Sequence, residues 1–315
     1  MDLRQLTAAV TVAEVGSVTK AARLLHLVQP AVTRQIQLLE KEMGVQLFER
    51  TPQGMTTTSE GEVLVSRARR ALRELERARS EIQPDPSEVT GIVTVGVLES
   101  TIDIFVSRLV TGVRRRHPGI QLRIVTAYSG HLQEWLDAGE VDVSLLYNST
   151  DTPSLAVLPL LDEQLLVVAP PDAGLKANTP MPWTAALQHP MIFPVSGHGH
   201  GLRAIIERAL SSVPVEPIIA AEANSMYVQK CLVLDGHGWT VIPAAGVAGD
   251  VAAGRFSAAP LAQPEVSRAL VIGHQRAARI PRPVQAVAKE MVQLAREIVR
   301  SNEWPSATMS APEPR

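Results

Sequence analysis

The sequence predicts an α+β multidomain chain, on three observations. Two short amphipathic helical patterns stand close together between Gly16 and Gly44. A heptad-spaced helix follows them. From Gly91 onward, strand-like and helix-like stretches alternate. A length of 315 residues suits two or three domains. The boundaries read as 1–58 for a winged helix-turn-helix, 59–90 for a linker helix and hinge, 91–300 for a two-lobed α/β domain, and 301–315 for a disordered tail.

The first helix carries Leu3, Leu6, Val10 and Ala13 at helical spacing and stops at Gly16. Ser17 is a candidate N-cap. After it, Val18, Ala21, Ala22 and Leu25 follow the i, i+3, i+4, i+7 rule. His26 to Gln29 break the pattern. Pro30 suits the first turn of the next helix, where a backbone N–H would have no partner anyway. Val32, Ile36, Leu39 and Met43 give that helix an apolar stripe, and Gly44 ends it. Two helices joined by a tight turn and packed on a third make a helix-turn-helix. The polar side of the second helix holds Gln29, Thr33, Arg34 and Gln37. These side-chain types hydrogen-bond base edges and phosphates in a major groove. A plain helical hairpin with a solvated polar face fits the spacing equally.

The stretch "RTPQGMTTT" (50–58) is punctuated by Pro and Gly and rich in threonine, as a small β-wing would be. Ser59-Glu60-Gly61-Glu62 reads as a capping box. Leu64, Ala68, Ala71, Leu75, Ala78 and Ile82 then step by four and three, a seam suited to dimerisation. A surface helix packed on its own domain is the alternative. Pro84–Gly91 reads as a hinge. Beyond it, "GIVTVGVL", "IQLRIVTA", "VDVSLLY", "EQLLVVA", "MIFPV", "VEPIIAA" and "WTVIP" read as strands between helices, forming a mostly parallel sheet in two lobes. A terminal helix covers 281–301. The last stretch, "EWPSATMSAPEPR", is Pro-rich and polar, the composition of a disordered tail.

Apolar residues make up 45% of the chain and charged residues 20%, enough to bury real cores. The net charge of −2 gives no sign of a nucleic-acid partner. The distribution is more telling: residues 1–83 carry 12 Lys/Arg against 10 Asp/Glu, and the rest 18 against 22. Arg67, Arg69, Arg70, Arg73, Arg77 and Arg79 crowd the linker helix. The single cysteine, Cys231, permits no disulfide within the chain and fits a reducing cytoplasm. Its neighbours Val228, Leu232 and Leu234 suggest a buried core thiol. No apolar run is long enough to span a bilayer, and the first residues lack a signal-peptide layout, so a cytoplasmic protein is expected. His198 and His200 are an incomplete zinc set. "GVLEST" lacks the glycines and lysine of a phosphate loop. No catalytic triad or paired-carboxylate motif stands out. Neither a cofactor, a metal nor an enzymatic activity is expected.

The segments "GSVTKAARLLHLVQPAVTRQIQLLEKEMGVQLFER", "GMTTTSEGE", "YSGHLQEWLDAGEVDVSLLY", "GLRAIIERA", "EANS" and "DGHGWTVIPAAGV" together resemble the LysR-type transcriptional regulators. The resemblance runs from Asp2 to about Val299. It implies a winged helix-turn-helix, a coiled-coil linker, and a C-terminal domain of periplasmic-binding-protein type that holds a small molecule between its lobes. It also implies dimers paired into tetramers. Gln29, Pro30, Thr33 and Arg34 fall where the family's recognition helix meets DNA, Gln37 extends that face, and Arg50 opens the wing. The family often has an Arg where this chain has Gln53. Ser100 and Thr101 after the first strand of the α/β domain, and Ser129 after the second, sit at helix starts, where free N–H groups favour an anion. Pro194 and Ser196 belong to a loop expected to face them. Glu99 would repel an anionic ligand if it pointed into the cleft.

The implied function is a sequence-specific DNA-binding regulator controlled by a small molecule. The expected partners are double-stranded DNA, a polar metabolite and further copies of the chain, with RNA polymerase as an additional candidate. The competing reading is a solute-binding or enzymatic α/β protein with an incidental helical N-terminal domain. A secreted binder needs a signal peptide and an enzyme needs a catalytic constellation, and the sequence displays neither.

Overall fold

The computed structural model describes residues 1–52, 54–82, 89–195, 201–276 and 280–310. It divides into two compact units, Met1–Asp85 and Pro86–Arg315. Gln53, most of the expected hinge, Ser196, His198, His200 and the last five residues lie outside the described set.

The first unit begins with α1 (Leu3–Val15), α2 (Val18–Leu24) and α3 (Gln29–Met43). Asp2 caps α1 through a reciprocal capping box with Gln5. Gly16 ends α1 and Gly44 ends α3, both in the left-handed region. Ser17 caps α2 as expected, accepting from the Lys20 amide. The buried face of α1 is Leu6, Ala8, Ala9 and Val12, while Leu3 is exposed. The α1 stripe is therefore rotated by about one position from the expected one, because the small residues Ala8 and Ala9 let α1 approach its neighbours closely. On α3, Val32, Ile36 and Leu39 are buried, and Met43 at the fraying end is exposed.

Strands β1 (Phe48–Thr51) and β2 (Gly54–Thr57) pair antiparallel as the wing. The Glu40 carboxylate fixes the wing's root by accepting from the Leu47 and Phe48 amides at 2.9 and 3.2 Å. Gly54 is required: a Cβ there would meet the Gly16 carbonyl oxygen at 2.3 Å. Helix α4 (Ser59–Ile82) follows. Its N-cap is Thr58, whose hydroxyl accepts from the Gly61 amide at 3.0 Å, one residue before the expected Ser59. Val65 and Ala68 are buried in the unit's own core, whereas Ala71, Leu75 and Ala78 are exposed. The seam thus splits into an inward part and an uncovered part.

The second unit is built on one sheet of eleven strands. The first lobe holds β3 (Gly91–Leu98), β4 (Ile120–Ala127), β5 (Val143–Tyr147), β12 (Ser267–Gln275) and β13 (Ala307–Met309). Helices α5 (Ser107–Arg116), α6 (Ser129–Asp137) and α11 (Arg282–Arg300) pack around it. The second lobe holds β7 (Met181–Pro182), β8 (Met191–Pro194), β9 (Ile219–Ala223), β10 (Trp239–Pro243) and β11 (Ser257–Ala262). With them go α7 (Trp183–Ala186), α8 (Leu202–Leu210) and α9 (Met226–Leu234). Strand β6 (Leu155–Ala169) runs through both lobes. It pairs with β12 and β13 in its first part and with β10 and β11 in its last. Helix α10 (Ala244–Ala252) contributes side chains to the cores of both lobes.

The sheet is mixed rather than mostly parallel. It is parallel among β4, β3 and β5 and among β10, β8 and β9, but antiparallel around β6 and β12. The antiparallel centre follows from one long strand serving two lobes. Asp142 is buried and accepts from the Thr94 amide at 2.8 Å. One further expectation fails: Cys231 is only partly buried. Among the described residues no helix is long and apolar enough to cross a membrane.

The expected tail also needs correction. Residues 301–310 continue the first lobe: β13 pairs with β6, and Trp304 is 1% exposed with its indole N–H donating to Glu163 Oε1 at 3.0 Å. A Pro-rich polar composition hid one large apolar anchor. Trp304→Ala should cost about 3–5 kcal/mol of stability, the range for emptying a large aromatic site. Urea unfolding monitored by circular dichroism checks this, and an unchanged midpoint would mean the segment is not anchored.

Candidate functional site

Each unit presents a site. In the first, α3 turns its apolar face to the core and leaves Gln29, Pro30, Arg34 and Gln37 exposed, with Thr33 half-buried among them. Gln29 Nε2 donates to the Thr33 hydroxyl at 2.9 Å, and that hydroxyl donates to the Gln29 carbonyl at 3.2 Å. The N-terminal end of the polar face is therefore ordered before anything binds. Arg50 is exposed on β1, opposite Met55 on β2. Leu24, Leu27 and Val28 at the turn are exposed as well.

In the second unit a cavity of about 680 Å³ opens between the lobes. Ser100, Ser129 and Pro194 line it. Thr101 does not. It is fully buried and its hydroxyl donates to the Leu98 carbonyl at 2.9 Å. The reason is local: Glu99–Thr101 form a 3₁₀ turn, which rotates successive side chains by about a third of a circle, so Ser100 and Thr101 face different ways. The Ser129 hydroxyl accepts from the Tyr147 amide at 2.9 Å, and Ser100 Oγ lies 3.1 Å from Tyr147 Oη.

Glu99 does line the cavity, but its charge is met by the opposite lobe. Its carboxylate accepts from Ser225 Oγ at 3.1 Å and from the Met226 and Tyr227 amides at 3.1 and 3.3 Å. These are free N–H groups of the first turn of α9, where a negative charge is favourable. Tyr128 adds a second bridge by donating to the Asn224 carbonyl. Burial, with Glu99 nearby, pushes the Tyr128 phenol up to about 12, so it remains a neutral donor.

Beneath Ser100 lies a polar cluster that sequence reading missed. Glu163 on β6 is 0% exposed and accepts from Tyr147 Oη at 2.8 Å, the Ala245 amide at 2.8 Å and Trp304 Nε1 at 3.0 Å. Arg268 on β12 stands opposite it and lines the cavity. Burial raises the Tyr147 pKa, and Glu163 offsets part of the opposing effect of Arg268, so the phenol stays protonated. The only available sequence signal was a charge set in an otherwise apolar strand, "SRALVIG". Phe193 is buried below Arg203, whose guanidinium carbon lies 5.2 Å from the ring centre.

Glu99→Ala removes all three bonds to α9. Exchange of the Met226 and Tyr227 amides should accelerate by about tenfold or more, given roughly 1–3 kcal/mol for hydrogen bonds to a charged group. Native-state hydrogen exchange reads this directly, and unchanged protection would show that something else caps α9.

Comparison with known proteins gives concordant matches. The family model "LysR substrate binding domain" matches residues 86–296, and "Bacterial regulatory helix-turn-helix protein, lysR family" matches residues 3–62. The HTH-type transcriptional regulator BbuR of Bordetella bronchiseptica is 30% identical over 93% of this chain and 90% of its own length. The nitrogen assimilation regulatory protein nac of Klebsiella aerogenes is 27% identical, over 93% of this chain and 95% of its own. Among solved structures, a full-length OxyR variant from Pseudomonas aeruginosa superposes with a TM-score of 0.73 at 22% identity, covering 100% of this chain and 99% of that one. Full-length CbnR, solved with its target DNA, gives 0.68 at 23% identity, covering 94% and 100%.

Proposed function

This chain belongs to the LysR family of bacterial transcriptional regulators, and on that premise we propose how its two sites divide the work. Helix α3 enters a major groove of double-stranded DNA, with Gln29, Thr33, Arg34 and Gln37 against base edges and backbone and Pro30 at the entry. Arg50 on the wing contacts a phosphate. A small polar metabolite occupies the inter-lobe cavity between Ser100, Ser129 and Pro194 and sets the output. The protein works in the cytoplasm beside the DNA it reads, and RNA polymerase is the partner through which it acts.

One observation carries the DNA assignment. A helix with Val32, Ile36 and Leu39 locked into the core displays Gln29, Thr33, Arg34 and Gln37, side chains of groove-reading types, directly before a β-wing. CbnR, of the same fold, was solved on its target DNA. The cavity volume suits a metabolite, since small-molecule sites span roughly 300–1,000 Å³. Aromatic residues are 3% of the chain, which disfavours a ligand held mainly by stacking.

Arg34→Ala should weaken operator binding by about 1–3 kcal/mol if Arg34 reads a base. A uniform loss on all sequences with a shallower salt slope marks a phosphate contact instead. Gel-shift titration at two salt concentrations separates these, and unchanged binding at both would remove α3 from the groove.

The exposed part of the α4 seam supports dimerisation through Ala71, Leu75 and Ala78. Two winged units on one coiled coil would read the half-sites of an approximate palindrome. Leu75→Glu places a charge against its twin, so a fragment of residues 1–90 should sediment as a monomer. An intact dimer would mean that α4 pairs by another face.

A further inference from the structure

The ion pair below the cavity is unequal. Glu163 has three hydrogen-bond donors and sits at the N-terminus of α10, so its charge is well met. Arg268 is not served in return. Its side chain is only 6% exposed, yet its Nε has no hydrogen-bond partner. The nearest Glu163 oxygen is 3.7 Å from that Nε, too far for a hydrogen bond. An Nη reaches Ser100 Oγ only at 3.4 Å. The flat face of the guanidinium rests on the Tyr147 ring, 3.2 Å from its centre. Stacking occupies the face and leaves the edge, which bears all five N–H donors in a fixed fork.

A buried cation with unspent donors on the wall of a cavity is an anion site. We propose that Arg268, with Ser100 beside it, anchors the carboxylate of a small monocarboxylic effector. This rests on the reading of the inter-lobe cavity as the effector site and names the chemistry of its floor. Glu99 does not oppose it, because its carboxylate is directed at the first turn of α9. Glu134 and Asp137 on α6 line the same cavity, and Arg203 on its wall is already paired with Glu207 and Glu222, so a second negative charge on the ligand is disfavoured. Selectivity for one carboxylate over two follows from that arrangement.

The test is binding of matched probes to the full-length protein, followed by intrinsic tryptophan fluorescence, since Trp304 is bonded to Glu163. Phenylacetate is compared with phenylacetamide, butyrate with butyramide, and succinate with succinamate. In the wild type at least one monocarboxylate should bind saturably, its amide at least tenfold more weakly, and succinate more weakly than succinamate. Arg268→Gln should abolish the preference for acid over amide, while Arg268→Lys, which keeps the charge and covers the case in which Glu163 left unpaired unfolds the protein, should retain part of it. Equal binding of acids and amides by the wild type overturns the proposal. So does a folded Arg268→Gln that keeps the preference, or the absence of saturable binding by every carboxylate. The effector reading fails on a different result: a metabolite that alters DNA binding in gel shifts and still binds with unchanged affinity to Val195→Trp, which sets a bulky indole on the cavity wall.

Discussion

The Glu163 carboxylate is the point on which the C-terminal unit depends. It lies on the strand that both lobes share, with 0% exposure, and it gathers donors from β5, α10 and the segment after α11. Burying a carboxylate costs several kcal/mol, and only complete hydrogen bonding offsets that cost. Three separate stretches of chain must therefore arrive together, at Tyr147, Ala245 and Trp304, with Arg268 opposite as the counter-charge. Removing any one donor leaves the charge under-satisfied, so the cluster specifies a single arrangement of the crossover. Ser100 touches this cluster from the cavity side through Tyr147, which places the cavity wall two hydrogen bonds away from the strand connecting the lobes.

The contacts across the cleft mouth have a different character. Glu99 and Tyr128 reach from the first lobe to the loop Asn224–Tyr227 of the second, over a partly open surface. Water can replace each of these bonds at modest cost. The lobes are thus tightly joined at β6 and more loosely joined at the rim. A ligand can bias such a pair of lobes only through differential affinity for the closed and open forms. The cavity lies between the firm joint and the soft one, so a small molecule there touches both.

Sequence reading recovered the elements whose cause is local. Helical spacing, the glycines at 16 and 44 and the cap at Ser17 located the three helices, the family resemblance identified them as a helix-turn-helix, and alternating strand and helix patterns indicated the α/β class. The family resemblance pointed to Ser100, Ser129 and Pro194, all of which line the cavity. What it missed depends on contacts between distant segments. Thr101 was misplaced because adjacent residues of a helical turn point about a third of a circle apart, so only one of the two neighbouring hydroxyls reaches the cavity while the other turns back to the Leu98 carbonyl. The role of Glu99 was missed because its partners are more than 120 residues away. The terminal segment was misread because composition gave it a disordered profile while a single Trp304 anchors it. Arg268 was invisible because a charge in an apolar strand has no meaning until its cross-strand partner is known.

Regulation by this protein depends on sequence-specific DNA recognition by the winged unit. Footprinting of the full-length protein on the DNA upstream of its own gene and of the neighbouring gene tests that most directly. The expected result is a bounded protected region containing two related half-sites on one face of the helix, a whole number of turns apart, as a two-fold pair of α3 helices requires. Protection that spreads evenly over any DNA and vanishes at moderate salt would be non-specific phosphate binding, and would contradict it.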